Sequence, residues 1–157
     1  MIKKIHDALA HTIATGFGVG LAPKAPGTFG TLVGIPIYML MADMTLASYI
    51  AVVAVLFVIG VWSAEVRGRA LNESDHGSIV WDEVVGYLIT MLAAPEINWL
   101  WIILGFILFR FFDILKPWPI SWLDEKIKTG FGTMLDDLLA GIFAAIVMWG
   151  IAIYIFV

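Results

Sequence analysis

Two stretches of this chain, 44–64 and 138–157, are apolar for about 20 residues each, long enough to cross the hydrocarbon core of a bilayer as a helix. A backbone in lipid must satisfy its own N–H and C=O groups, which leaves such stretches few conformations besides the helix. Composition agrees: 61% of the residues are hydrophobic and the mean hydropathy is +0.95, against about 45–50% apolar content in soluble domains. A third stretch, 97–115, spans if Arg110 and Asp113 sit near its end. Two more, 28–42 and 79–94, are short, and runs of that length are often re-entrant or buried. The expected fold is therefore all-α: a polytopic membrane bundle of about five helices, two of them short, with an N-terminal amphipathic helix.

Charge orients the bundle. With five crossings and the N-terminus in the cytoplasm, all nine Lys and Arg residues fall on or near one side. They are Lys3, Lys4, Lys24, Arg67, Arg69, Arg110, Lys116, Lys126 and Lys128. The opposite side receives Asp43 and Glu96 and no basic residue. That is a positive-inside distribution over short loops. Making both short segments re-entrant moves Arg67 and Arg69 outside, against the rule.

The 157 residues contain no internal repeat, linker or low-complexity tract, and the longest polar stretches, of about a dozen residues, leave no room for an aqueous domain. The chain has no cysteine, which excludes disulfides, cysteine-based zinc sites and a thiol nucleophile. Its histidines, His6, His11 and His76, lack the spacing of a zinc protease. The N-terminal stretch does not have the form of a secretory signal, because Asp7 and two histidines break it. Ile2, Ile5, Leu9 and Ile13 recur there at helical spacing. That pattern fits a helix lying on the membrane surface, and equally an amphipathic helix packed on the rest of the protein.

Four polar clusters share the charged side. In GFGVGLAPKAPGTFG, residues 16–30, glycines and prolines lead into a helix near Thr28. Backbone amides there, with Lys24 and the Thr28 hydroxyl, suit a phosphate. The stretch is neither a Walker A loop nor a dinucleotide fingerprint, and a plain turn into a tightly packed helix accounts for it as well. In DHGSIVWDEVVG, residues 75–86, Ser78 can cap a helix, placing Asp82 and Glu83 just past its first turn. The helix dipole explains one acid at such a place more readily than two. His76 reads first as a loop residue and second as a catalyst.

In FILFRFFDILKPWPI, residues 106–120, Arg110, Asp113 and Lys116 recur every third residue on one helical face, and Pro117 ends the helix. An ion ladder stabilises a helix by only about 0.2–0.5 kcal/mol per pair, whereas an ionised group at the bilayer centre costs about 2.5–3.5 kcal/mol on insertion scales. A functional reason for these charges is the better account. In GTMLDDLLAG, residues 132–141, Thr133 and Asp136 take the form of a capping box, which leaves Asp137 unexplained.

Together these clusters bring carboxylates, cations and a Gly/Pro loop to one depth. Carboxylates without His or Cys favour the hard cations Mg²⁺, Mn²⁺ or Ca²⁺. Carboxylates with Lys and Arg describe a phosphoryl site at the depth of lipid headgroups.

GLAPKAPGTFGTL, DHGSIVWDEVVG, FRFFDILKPWPI and GFGTMLDDLLAG resemble the motifs of the phosphatidylglycerophosphatase A family, in order, over most of the chain. The resemblance implies a Mg²⁺-dependent lipid phosphatase of the bacterial inner membrane with its site on the cytoplasmic face. Such an enzyme converts phosphatidylglycerophosphate to phosphatidylglycerol and inorganic phosphate. It also implies that residues 1–157 form one membrane-embedded phosphatase domain whose partners are its lipid substrate and membrane lipids, with no nucleic acid.

On that reading Asp82, Glu83, Asp136 and Asp137 carry Mg²⁺. Asp113 joins them or orients the attacking water. Lys24, Thr28, Arg110 and Lys116 hold the phosphomonoester. A metal-activated water or an aspartate attacks phosphorus, and Asp75, His76 or solvent protonates the leaving glycerol oxygen. Two other classes also place acids in membranes or suit a small chain. An ion-coupled transporter usually carries its acids near the midplane in repeated halves, and a non-catalytic scaffold does not account for so many carboxylates together.

Overall fold

A computed structural model describes residues 1–156, the last by its backbone alone. The final residue of the expected span 138–157 therefore lies outside the described residues. Seven α-helices make up this part of the chain: α1 (Ile2–Ala14), α2 (Pro26–Met41), α3 (Leu46–Leu71), α4 (Trp81–Thr90), α5 (Trp99–Leu115), α6 (Ile120–Lys126) and α7 (Gly130–Phe156). Two 3₁₀ turns, Val19–Leu21 and Met91–Ala93, complete the architecture, and the described residues contain no strand.

Local chemistry sets the helix ends. Thr45 Oγ1 accepts the Ser48 amide at 3.2 Å to open α3, and Asn98 Oδ1 accepts the Trp101 amide at 3.1 Å to open α5. Lys116 closes α5 with φ near 41°. The following Pro117 disfavours a further right-handed residue, and the chain turns through the left-handed region. Two expected caps do not form. Helix α7 starts at Gly130, about a turn before Thr133, whose hydroxyl instead donates to the carbonyl of Ser74 at 3.0 Å. Ser78 does not cap α4; its hydroxyl meets Arg67 Nη2 at 3.2 Å and His76 Nδ1 at 2.8 Å.

Helices α3 and α7 each offer 26 residues apolar enough to cross a membrane. At 1.5 Å per residue they extend about 39 Å, more than the roughly 30 Å hydrocarbon core. The outer surface of the bundle is apolar, with Leu40, Val58, Ile103, Ile107 and Ile146 all exposed. An exterior of that kind is suited to lipid, and the architecture is that of a membrane helical bundle.

Helix α4 is different in kind. Nine of its ten residues are buried, so it is an interior element enclosed mainly by α7 and α2, with α3 and α5 beside it. At about 15 Å it is half as long as a span requires. Side-chain hydrogen bonds tie it to the surrounding helices. Tyr49 OH donates to the Leu88 carbonyl at 2.8 Å, Trp81 Nε1 to that of Leu56 at 3.1 Å, and Tyr87 OH to that of Ile102 at 3.2 Å. It crosses α7 at two glycines: a Cβ on Gly141 would lie 2.4 Å from the Gly86 carbonyl oxygen. Close backbone approach through small residues is a recurrent way of packing helices in lipid.

Helix α1 packs on the rest of the protein, the second of the two arrangements its sequence allows. Ala10 and Ala14 are buried where it packs on α3, while Ile2, Ile5 and Leu9 stay exposed. Contacts among α2, α3, α4, α5 and α7 place the starts of α2, α4 and α7 and the ends of α3 and α5 together.

Candidate functional site

The charged end of the bundle carries two groups of acids. In the first, ligand oxygens of Asp82, Glu83 and Asp137 all lie within 4.8 Å of one another. Asp82 and Glu83 occupy the first turn of α4, where the amide end of the helix dipole favours negative charge. The Glu83 amide donates to Asp82 Oδ1 at 3.1 Å. Asp137 comes from the second turn of α7 and the interior side of that helix. Glu83 Oε2 and Asp137 Oδ2 are buried and accept no hydrogen bond. Orphaned carboxylate oxygens are expensive without a partner.

Arg110 is the cation against this group. Its Nη1 lies 3.8 Å from Glu83 Oε1 and forms a short hydrogen bond to Asp113 Oδ2, and its Nε is buried and unpaired. Asp113 also faces Glu83 and Asp137. The first turn of α2 is pressed against the same pair. A Cβ on Gly27 would sit 2.2 Å from Glu83 Oε1 and 2.9 Å from Arg110 Nη1, so a methyl group there would displace the ends of both side chains.

The second group comprises Asp75, Asp124 and Asp136, again with ligand oxygens within 4.8 Å. Here the charges are answered. Lys116 Nζ donates to Asp136 Oδ2 at 2.5 Å and lies 3.3 Å from Asp124, and Lys128 Nζ lies 3.5 Å from Asp124. Burial by itself lowers an ammonium pKa, but Asp136, Asp75 and Asp124 outweigh it and hold Lys116 above its usual value. Asp75 is exposed, yet the protein atoms crowded around its carboxyl push its pKa up; their desolvation of the charged form is the main cause, with Lys116 and Lys128 opposing and Asp124 and Asp113 adding.

The sequence-derived candidates thus sort by position. Asp82, Glu83, Asp137, Asp113 and Arg110 converge on one point. Asp136 and Asp75 face the second group with Lys116. His76 stands beside Asp75 in the chain, but its ring bonds Ser78. Thr28 is half-buried on α2, one residue after Gly27. Lys24 is exposed in the preceding loop and enters no ion pair among the described residues. Asp124 on α6 is the residue that sequence reasoning missed. Its only local signal is Lys128 four residues on, and the turn through Pro117 and Pro119 is what carries it back toward Lys116.

The first group has the chemistry of a divalent-cation site: buried oxygen donors alone, two of them unpartnered. With Arg110 alongside, a bound anion would meet positive charge on both sides.

The profile of the family described as phosphatidylglycerophosphatase A matches residues 12–152. A protein named phosphatidylglycerophosphatase A from Escherichia coli (strain K12) is 43% identical over 88% of this chain and 81% of its own length. The Haemophilus influenzae protein of the same name is 45% identical over 90% of this chain and 87% of its own. A Bacteroides thetaiotaomicron protein, provisionally named phosphatidylinositol-3-phosphatase, is 41% identical over 87% of this chain and 89% of its own. No solved structure matches.

Proposed function

The chain belongs to the phosphatidylglycerophosphatase A family, and from that membership we propose that it is a lipid phosphatase converting phosphatidylglycerophosphate to phosphatidylglycerol and inorganic phosphate, a step of phospholipid synthesis. The observation that carries the reading is the pair of buried, unpartnered oxygens on Glu83 and Asp137 beside Arg110. The whole chain acts as one membrane-embedded domain of the bacterial inner membrane: α2, α3, α5 and α7 cross it, and between α3 and α5 the chain passes through the protein interior by way of α4 and the turn Met91–Ala93. Its charged end faces the cytoplasm, as the grouping of Lys and Arg there supports.

Asp82, Glu83 and Asp137 are the residues that would hold Mg²⁺. When bound, the ion supplies positive charge that offsets the three carboxylates and polarises a phosphate oxygen. Arg110, braced by Asp113 on one side and Glu83 on the other, presents its guanidinium to the phosphate. Lys116, held by Asp136 and Asp124, contributes a second cation, and Lys24 and Thr28 close the cradle from the start of α2. Asp136 thereby positions Lys116, and with Asp75 and Asp124 it forms the second group of acids, which could take a cation of its own. Asp113 orients the attacking water or itself attacks phosphorus. The bond between phosphorus and the glycerol oxygen breaks, and that oxygen takes a proton from Asp75, from His76 or from solvent.

A second substrate has one observation behind it, the 41% identity to a relative named for a phosphoinositide. Both lipids carry a phosphomonoester, so the same cradle serves either. The test is phosphate release from each lipid in mixed micelles, with Mg²⁺, with chelator, and with Mg²⁺ restored. Release from phosphatidylglycerophosphate that stops with chelator and returns with Mg²⁺ is expected. Binding without turnover under every condition would overturn the enzymatic reading, and faster release from phosphatidylinositol 3-phosphate would reassign the substrate.

A further inference from the structure

Away from the two acidic groups, α1 and the end of α3 enclose a groove of about 700 Å³ lined by Lys3, His6, Asp7, His11, Arg67 and Arg69. The whole α1 side of this groove precedes residue 12, where the family match begins. Its charges are unequally engaged. Asp7 Oδ1 accepts from His6 Nδ1 at 2.9 Å, and Arg69 is paired with Glu65 at 2.8 Å. Lys3 enters no ion pair among the described residues. Arg67 donates one nitrogen to Ser78 Oγ at 3.2 Å, but its Nε is buried with no acceptor. A guanidinium donor withdrawn from water without an acceptor is costly, and its planar fork matches phosphate oxygens.

The depth of the groove is set by the other side of α1. Ile2, Ile5 and Leu9 are exposed on the face turned away from Lys3, Asp7 and His11. An amphipathic helix with such a face lies at the boundary of headgroups and acyl chains. The groove is then level with lipid phosphates, where each Lys or Arg attracts anionic lipid by about 1 kcal/mol.

We propose that this groove binds a phosphate group through Lys3 and Arg67, in the form carried by an anionic phosphodiester lipid or by free orthophosphate. It is separate from the phosphomonoester cradle. Arg67 reaches Ser78, which bonds His76 at 2.8 Å, so the occupied groove abuts the loop that carries Asp75. The inference rests on the membrane reading of α1 and not on the hydrolytic chemistry.

Native mass spectrometry of the full chain, released from micelles of equal phosphatidylserine and phosphatidylcholine, tests it. Wild-type protein is expected to retain one phosphatidylserine in preference to phosphatidylcholine. Lys3→Gln and Arg67→Gln are each expected to weaken that preference roughly fivefold, and Lys3→Arg to keep it. Lys3→Gln, on an exposed helix, is expected to leave phosphate release in uncharged detergent unchanged, which separates this site from the catalytic one. Retention against excess orthophosphate identifies the lipid as the source; displacement, with broadening of the orthophosphate ³¹P signal, identifies free phosphate. Equal retention of the two lipids with no orthophosphate binding, or a preference untouched by both Gln variants, overturns the proposal.

Discussion

Asp136 and Asp137 are neighbours in the chain and belong to different groups of charges. The Asp137 amide donates to Asp136 Oδ1 at 3.0 Å, while Asp136 Oδ2 accepts from Lys116 at 2.5 Å and Asp137 Oδ2 is buried without a partner. Adjacent helical positions point about 100° apart, so α7 presents one acid to each side of its own surface. The carboxylate left unanswered is the one that faces Asp82 and Glu83.

Asp137→Asn and Glu83→Gln are expected to remove the response to Mg²⁺. In wild-type protein, Mg²⁺ at about one hundred times its Kd stabilises the fold by about 2.7 kcal/mol, read as a rise in Tm that chelator reverses. Neither variant should show that rise. Without metal both should melt no lower than wild type, because one of three crowded carboxylates has lost its charge. A variant that still gains stability from Mg²⁺ would move the cation elsewhere.

Asp113→Asn is expected to lower phosphate release by at least about 10²-fold while leaving membrane insertion intact. The substitution removes the charge that braces Arg110 and the carboxylate that faces Asp137. Wild-type turnover in purified, membrane-inserted Asp113→Asn would take Asp113 out of the mechanism.

Gly27→Ala places a methyl group 2.2 Å from Glu83 Oε1. Overpacking of this kind costs about 1–3 kcal/mol, and here the displaced atoms are the ones proposed to hold metal and phosphate. Activity is expected to fall at least about tenfold, since each 1.4 kcal/mol of lost transition-state binding is a decade in rate. Gly150→Ala, where a Cβ meets nothing within 4 Å, is the control and should match wild type. Equal activity in both variants would separate α2 from the site.

Asp75→Asn tests the proton donor. Removing a general acid slows the step that needs it by about 10²–10⁴-fold. The loss should be large with the lipid, whose alkoxide leaving group is poor, and small with an aryl phosphate whose leaving group needs no proton. Equal losses with both would assign Asp75 a positioning part through Lys116 and Asp136.

Much of this was legible before any coordinates. The apolar runs announced α3 and α7, and the interrupted run ending at Pro117 announced α5. The charged motifs named most members of both acidic groups, because an ionisable residue at a membrane boundary is conspicuous. Three things were not legible. Thr133 has the pattern of a cap, but the sequence does not say that Glu65 Oε2 will bind the Gly130 amide at 2.7 Å and let α7 start there. The separation of Asp136 from Asp137 depends on the rotation of α7, which its glycine contact with α4 fixes. Asp124 reaches Lys116 through a tertiary turn, and no local spacing encodes that contact.

The burial of α4 has one more consequence. Helices α3, α5 and α7 carry exposed apolar side chains, Val58, Ile103 and Ile146 among them, while α4 takes its height from these neighbours, as a keystone takes its height from an arch. When acyl chains lengthen or shorten, the outer helices adapt by tilting at a cost of fractions of a kcal/mol per Å of mismatch, and the acidic floor keeps its internal spacing. Turnover measured in bilayers of graded thickness should therefore stay level over a range in which the tilt of α3 changes.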